Sequence, residues 1–405
     1  MTFGFADRIS RLLLLGAGLA LLSGGPAAAP TIEFTDEEIA RIASHGPWPP
    51  DWQGDPGNRA SGNPAAIRLG QSLFFDARLS ANGKLSCATC HQPRSGFQDG
   101  RLTARGLARG TRNTPGLLNV RHQRWFGWDG GHDNLWSASL RPILDPREMG
   151  GSAARSARLL NASPSLACHY REAFGKPPTA DDPEFPINLA KAIAAWQETL
   201  VSPPTPFDRF REALTDKDAA AAASYPQAAR RGLRLFLGRG QCATCHAGPL
   251  FSNGEFGDIG VPFFVRPAGV DPGRQGGIKH LLASPYNLLG DHNDDATRGN
   301  AVGTRHLRPE HRNFGEFKVP TLRNLTLTAP YMHNGSLASL RDVVRHYSEL
   351  DEERLHSDGE RILKPLMLSA GEIDDLVAFL ETLSPPAPPQ PPLPPPGALP
   401  CPARR

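Results

Sequence analysis

An excess of charge of one sign is missing from this chain. Its 44 Lys and Arg stand against 41 Asp and Glu, a net +3 over 405 residues, which gives no case for a nucleic-acid partner. Long apolar runs are missing too. The run from Leu12 to Leu22 is too short for a comfortable membrane span. With Arg8 and Arg11 before it and Pro26-Ala27-Ala28-Ala29 after it, residues 1–29 read as an export signal, which places the mature protein in the periplasm. An uncleaved anchor is the lesser reading, resting on Pro30 as a poor residue after a cut. No Cys follows the run, which argues against a lipoprotein. Methionine is scarce: past the signal only Met149, Met332 and Met367 remain. No His occurs from Gln92 to Arg121.

Cysteine is scarce as well, six in all, yet four fall in two identical stretches. These are Cys87-Ala88-Thr89-Cys90-His91 and Cys242-Ala243-Thr244-Cys245-His246. C-x-x-C-H is the attachment signature of a c-type haem. Two intervening residues place both sulfurs along one porphyrin edge, and the adjacent His offers a nitrogen to iron. A disulfide needs no His, and a zinc site more often pairs two C-x-x-C halves. Two covalent haems follow. Such haems are attached outside the bacterial cytoplasm, in agreement with export. Cys168 and Cys401 remain; they read as a buried thiol and a tail thiol, with a disulfide between them as the alternative.

Around each motif the chain repeats. Ile67, Gly70, Leu73 and Phe74 share a helical face before the first, and Gly232-x-x-Leu235-Phe236 matches Gly70-x-x-Leu73-Phe74 before the second. Leu189, Ile193, Trp196 and Leu200 form a closing helix ending in Glu198-Thr199-Leu200. Ile373, Leu376, Val377 and Leu380 form another, capped by Ser369 and Glu372 and ending in Glu381-Thr382-Leu383. Thr31 to Ile42 reads as a further short helix, with Thr35 as cap and Glu38 three residues on. The expected fold is mostly α, with two cytochrome c-like domains, each around one covalent haem, and long loops. The expected divisions are 1–29 signal, 31–203 N-terminal haem domain, 204–384 C-terminal haem domain and 385–405 proline-rich tail.

From about Ala65 to Leu383 the chain resembles the bacterial di-haem cytochrome c peroxidases and their MauG relatives. The resemblance rests on Arg112-Asn113-Thr114-Pro115, Phe126-Gly127-Trp128-Asp129-Gly130, Pro142 through Glu148-Met149, and Thr328-Ala329-Pro330-Tyr331-Met332-His333-Asn334-Gly335. It implies that Glu148 is the distal carboxylate over the first haem, moving the proton that peroxide heterolysis requires. It implies that Trp128 lies between the haems, with Trp125 and Trp136 left as packing. It implies one calcium ion on Asn113, Thr328 and Pro330, an amide oxygen and two backbone carbonyls suiting a hard cation. His91 and His246 are the axial ligands, and family members are often homodimers.

The remaining iron ligands set the subtype. Where many of the peroxidases carry a His before Arg-Asn, the alignment puts Arg105, so the first haem is expected open to hydrogen peroxide; His122 is the residual candidate. Where they carry a Met after Tyr-x-His-x-Gly, the count from His333 lands on Tyr347, with His346 the competitor. Leu337, Leu340, Val344 and Tyr347 share one helical face. MauG has a Tyr at this place. A phenolate lowers the haem potential and favours a high-valent di-haem state that oxidises a partner, either a protein substrate or a small electron-donor protein. The alternatives are a conventional cytochrome c peroxidase that detoxifies peroxide and a non-catalytic di-haem electron-transfer cytochrome. Three departures from the family pattern are Ala138 for Gln, Gly240 for a surface Trp and Gly131 for Arg. The loop Asp291-His292-Asn293-Asp294-Asp295 reads as a solvated turn rather than a metal site.

Overall fold

The structure is a computed structural model that describes residues 32–261, 269–354, 358–359 and 362–387. The export signal and nearly all of the proline-rich tail lie outside the described residues. The chain divides into two compact units, Met1–Glu33 and Phe34–Arg405, and the second contains both haem motifs.

The molecule is mostly helical. Its helices are α1 (Asp36–Ala43), α2 (Pro64–Phe74), α3 (Cys87–Cys90), α4 (Leu135–Leu144), α5 (Ala153–Asn161), α6 (Pro164–Phe174) and α7 (Phe185–Gln197). They continue with α8 (Pro206–Thr215), α9 (Ala219–Ala223), α10 (Gln227–Leu237), α11 (Arg274–Ala283), α12 (Val302–Arg305), α13 (Leu340–Ser348) and α14 (Ala370–Glu381). Two short strands, β1 (Phe256–Gly257) and β2 (Phe317–Lys318), pair antiparallel. Among the described residues no helix is long and apolar enough to cross a membrane.

Two large apolar cores form around the two motifs. Leu69, Leu73 and Phe74 of α2 pack on Leu189, Ile193 and Trp196 of α7 in the first. Leu233 and Phe236 of α10 pack on Leu376, Phe379 and Leu380 of α14 in the second. A smaller cluster puts Trp136 and Leu140 of α4 on the opposite side of α7, so α7 is buried on nearly every face. The helices stand where the apolar spacing places them, and the caps at Thr35–Glu38 and Ser369–Glu372 are both closed. One element differs from the sequence division. Helix α1 lies in the second core, with Ile42 among Phe207 and Phe236 and Glu38 paired to Arg234 at 2.7 Å. Eight residues carry no mark of which distant core their single buried Ile will join.

The matching glycines explain the repeat physically. A Cβ on Gly70 would stand 1.9 Å from the Ala192 carbonyl oxygen, and one on Gly232 would stand 1.9 Å from that of Asp375. Each is where an entry helix meets a closing helix at backbone contact. Gly232→Ala is therefore expected to lower stability by about 1–3 kcal/mol, because the obstructing atom is backbone and the helices must part. A fall in thermal midpoint checks this, and an unchanged midpoint refutes the close crossing.

The closing motif of α7 also carries a buried acid. Glu198 is 3% exposed and accepts from Ser61 Oγ at 2.7 Å, and burial pushes its carboxyl up to about 7. A raised carboxyl contributes stability that is whole below the ordinary range and is lost as pH rises through about 7. Glu198→Gln keeps a partner for Ser61 and has no proton to lose. Its stability relative to the parent is expected to rise between pH 5 and pH 8 by on the order of 2–3 kcal/mol. Parallel pH curves for the two proteins would refute this.

Cys168 is not a buried thiol: it is disulfide-bonded. Cys401 lies outside the described residues. The Asp291–Asp295 loop is not simply a solvated turn. Asp294 accepts from the fully buried Lys191 at 2.6 Å and from Arg59, and His292 Nδ1 lies 2.7 Å from Glu184. The loop clamps the first core. Among the described residues no cluster of three or more His, Cys, Asp or Glu is placed to hold a metal ion.

Two haem motifs and the residues between them

The two motifs fold alike. Cys87–Cys90 form one turn of helix, and His91 N–H donates to the Cys87 carbonyl at 2.8 Å. His246 N–H donates to the Cys242 carbonyl at 2.9 Å. The four motif thiols are free; burial pushes Cys87 and Cys242 up to about 12, as suits sulfurs facing an apolar ring rather than water. His91 Nδ1 lies 2.8 Å from the Phe97 carbonyl, and His246 Nδ1 lies 2.9 Å from that of Phe251. A carbonyl only accepts, so each Nδ1 carries the proton and each Nε2 keeps its lone pair for a metal. Burial lowers the proton affinity of both rings, His246 to about 4. Half-buried, neutral and orientated, both histidines fit a haem iron.

A second pair of matched segments comes to light only in the fold. The Pro115 and Pro320 carbonyls flank the same two rings. Four residues later Asn119 and Asn324 both take the left-handed conformation, φ 66°. Their N–H groups donate to the last carbonyls of the closing segments, Leu200 at 2.6 Å and Leu383 at 3.0 Å. The signal in the sequence is P-x-L-x-N, in Pro115-Gly-Leu117-Leu-Asn119 and Pro320-Thr-Leu322-Arg-Asn324.

Glu148 stands close enough to Cys87 and Cys90 to raise the proton affinity of both thiols. Burial in turn raises the Glu148 carboxyl, and Arg141, at 3.2 Å, opposes the rise. Its side chain keeps 41% exposure. The loop holding Arg105 is pinned above it: Leu107 N–H donates to the Glu148 carbonyl at 2.9 Å and Ala108 N–H to that of Arg147 at 2.8 Å. That loop turns the Arg105 carbonyl to the Cys90 thiol at 3.7 Å. His122 is engaged elsewhere. Arg121 Nε donates to it at 3.1 Å, its ring meets Trp48, and it lines a cavity of about 160 Å³ with Trp125, Ser252 and Lys318.

Trp128 is held between segments of both halves. Its indole N–H donates to the Asn113 carbonyl at 2.9 Å, and its own carbonyl accepts from Lys318 N–H at 2.7 Å. Trp125 and Trp136 are 4% and 0% exposed; Trp136 belongs to the small apolar cluster on α4 and α7, and Trp125 lies against the Arg274 guanidinium. Asn113 N–H donates to the His333 carbonyl at 2.7 Å, which brings Asn113 to the segment bearing Thr328 and Pro330. Among the described residues neither the Thr328 nor the Pro330 carbonyl accepts a hydrogen bond. Three uncharged oxygens with water completing the shell fit calcium, at modest affinity for want of a carboxylate.

On α13, Tyr347 and His346 point to different neighbours. Burial first, and then the nearby Cys242 and Cys245 thiols, raise the Tyr347 phenol. His346 Nε2 is taken by the Ile259 carbonyl at 2.7 Å. Gly240 is demanded by backbone, since a Cβ there would stand 2.7 Å from the Leu235 carbonyl oxygen; a tryptophan does not fit.

Comparison with known proteins agrees with this geometry. Residues 64–216 match the family model described as di-haem cytochrome c peroxidase. Methylamine utilization protein MauG of Methylorubrum extorquens is 35% identical over 374 residues, 92% of each chain. Cytochrome-c peroxidase IdrP1 of a Pseudomonas species is 33% identical, covering 78% of this chain and 80% of the relative. The crystal structure of a MauG-like protein associated with microbial copper homeostasis superposes with a TM-score of 0.63 at 25% identity, covering 84% of this chain and 96% of that one. Two free C-x-x-C-H motifs with poised histidines, on this fold and with these relatives, have one reading: the chain belongs to the di-haem cytochrome c peroxidase and MauG family, a family of haem-dependent oxidoreductases.

Proposed function

We propose that this protein is an exported, periplasmic di-haem peroxidase of the MauG type, which uses hydrogen peroxide to oxidise a partner. The observation that supports the subtype is that His346 is bound to the Ile259 carbonyl at 2.7 Å, which leaves its neighbour Tyr347, near the Cys242 and Cys245 thiols, as the candidate for the second site. The absence of His from Gln92 to Arg121 supports an open first site. The two cores correspond to an N-terminal peroxidatic and a C-terminal electron-transfer domain, divided near residue 203. A calcium ion on Asn113, Thr328 and Pro330 braces the seam.

When bound, the two haems supply the iron that receives peroxide and the capacity to hold its two oxidising equivalents. The chain supplies the rest. His91 and His246 present Nε2, each fixed by its Nδ1–H on a carbonyl. Glu148 takes the proton from one peroxide oxygen and returns it to the other, so that the departing oxygen leaves as water. Arg141 keeps the carboxylate in place. Trp128, gripped at its indole N–H and at its carbonyl, shortens the path for electrons between the two sites. Tyr347 closes the second site with a phenol oxygen.

The test is one equivalent of hydrogen peroxide mixed with the fully oxidised, haem-loaded protein, followed by stopped-flow spectra. A fast change to a long-lived oxidised species is expected. Reaction only after prior reduction of one haem would favour the conventional peroxidase, to which part of the similarity points. No reaction under either condition would favour an electron-transfer cytochrome.

A further inference from the structure

The turn that carries Trp128 is gripped by one distant segment, Asp271–Gly277. Asp271 holds Arg112 with two contacts of 2.7 Å, and Arg112 reaches the Asp129 carboxylate at 2.7 Å. Gly277 lies against the Asp129 carbonyl, which a Cβ would meet at 2.1 Å. Between them Arg274, 3% exposed, donates from one terminal nitrogen to the carbonyls of Gly130 at 2.8 Å and Asp129 at 3.2 Å. Its guanidinium lies between two rings, 3.9 Å from the centre of Phe256 and 4.5 Å from that of Trp125. Phe256 is in β1, the strand paired to Lys318, whose N–H holds the Trp128 carbonyl. One buried cation thus joins the turn after Trp128 to the chain that follows the second haem motif. Gly130 leaves room for it: at φ 61°, a Cβ there would meet Phe256 at 2.4 Å and Arg274 at 2.5 Å.

We propose that Arg274 is a positioning residue for Trp128: its guanidinium, stacked on Phe256, fixes the Asp129–Gly130 carbonyls and so sets the indole's place between the haems. The assignment rests on Trp128 being the bridge. A planar fork held between rings resists displacement where a flexible ammonium does not. Residue 131, directly after this turn, is Gly, and a Cβ there meets only side-chain atoms, Asp129 Oδ1 at 3.2 Å and His280 Cδ2 at 3.4 Å. An arginine introduced at that position starts directly beside the same turn, provided the Asp129 and His280 side chains give way.

The experiment uses the di-haem holoprotein. One haem is reduced by a flash and the electron's passage to the other is timed, with both reduction potentials measured for every variant. Trp128→Phe is expected to slow the passage; an unchanged rate removes the bridge and this inference with it. Arg274→Leu is expected to slow it roughly ten- to hundredfold with haem spectra and potentials unchanged, and adding Gly131→Arg is expected to recover most of the loss. Three results overturn the proposal while leaving Trp128 as the bridge: an unchanged rate in Arg274→Leu, slowing accounted for by shifted potentials, or no recovery in the double variant. If Arg274→Leu does not load haem, Arg274→Lys takes its place. Intermediate slowing then supports the role, and an unchanged rate overturns it.

Discussion

Glu148→Gln slows the reaction with hydrogen peroxide by two to four orders of magnitude. General acid–base catalysis by one positioned group contributes about 10²–10⁴-fold, and the amide can neither accept nor return the peroxide proton. The carboxyl it replaces lies near Cys87 and Cys90, raised by burial and restrained by Arg141. The substitution is nearly isosteric, so both haems still attach and their spectra at rest stay as in the parent. The parent's pH profile carries the same information. Glu148 begins the reaction as a carboxylate, so activity falls as pH drops through its folded pKa, which lies above the ordinary carboxyl value. That acid limb is absent from the variant. Stopped-flow rates across pH decide it, and a Gln variant with the parent's rate takes Glu148 out of the mechanism.

Tyr347→Met raises the reduction potential of the second haem by on the order of 0.1 V or more, because a thioether favours ferrous iron and a phenolate favours ferric. The consequence is a change in how the enzyme starts. The parent reacts with peroxide when fully oxidised, and the variant waits for one electron. Burial raises the Tyr347 phenol, so its ionisation depends on the iron that displaces its proton. Haem loading is therefore expected to release a proton that Tyr347→Phe does not. Potentiometric titration of the second haem is the measurement. An unchanged potential excludes Tyr347 as the ligand.

Much of the architecture was legible because the haem motif is rigid chemistry and the surrounding helices are amphipathic. Gly70 and Gly232 looked like matched letters in two patterns. Their meaning, backbone contact with Ala192 and Asp375, became visible only when the closing helices were in place. The repeated P-x-L-x-N segments stand in the sequence without a meaning of their own, since a Pro and an Asn four apart announce nothing until the Asn caps a distant carbonyl. Helix α1 was legible in sequence but its partners were not. The Asp291–Asp295 loop looked solvated because its counter-charges, Arg59 and Lys191, lie far away along the chain.

Determined by the sequence alone were two covalent haem sites, a helical duplicated scaffold and membership of this family. Each depends on short, local spacing: two residues between thiols, a His beside the second, and apolar side chains on one helical face. The tertiary structure decided that His346, beside Tyr347, is held by the Ile259 carbonyl. It also decided which remote cation holds the turn after Trp128. Those choices depend on where a carbonyl such as Ile259 or Gly130 comes to rest, and a backbone carbonyl has no letter of its own in a sequence.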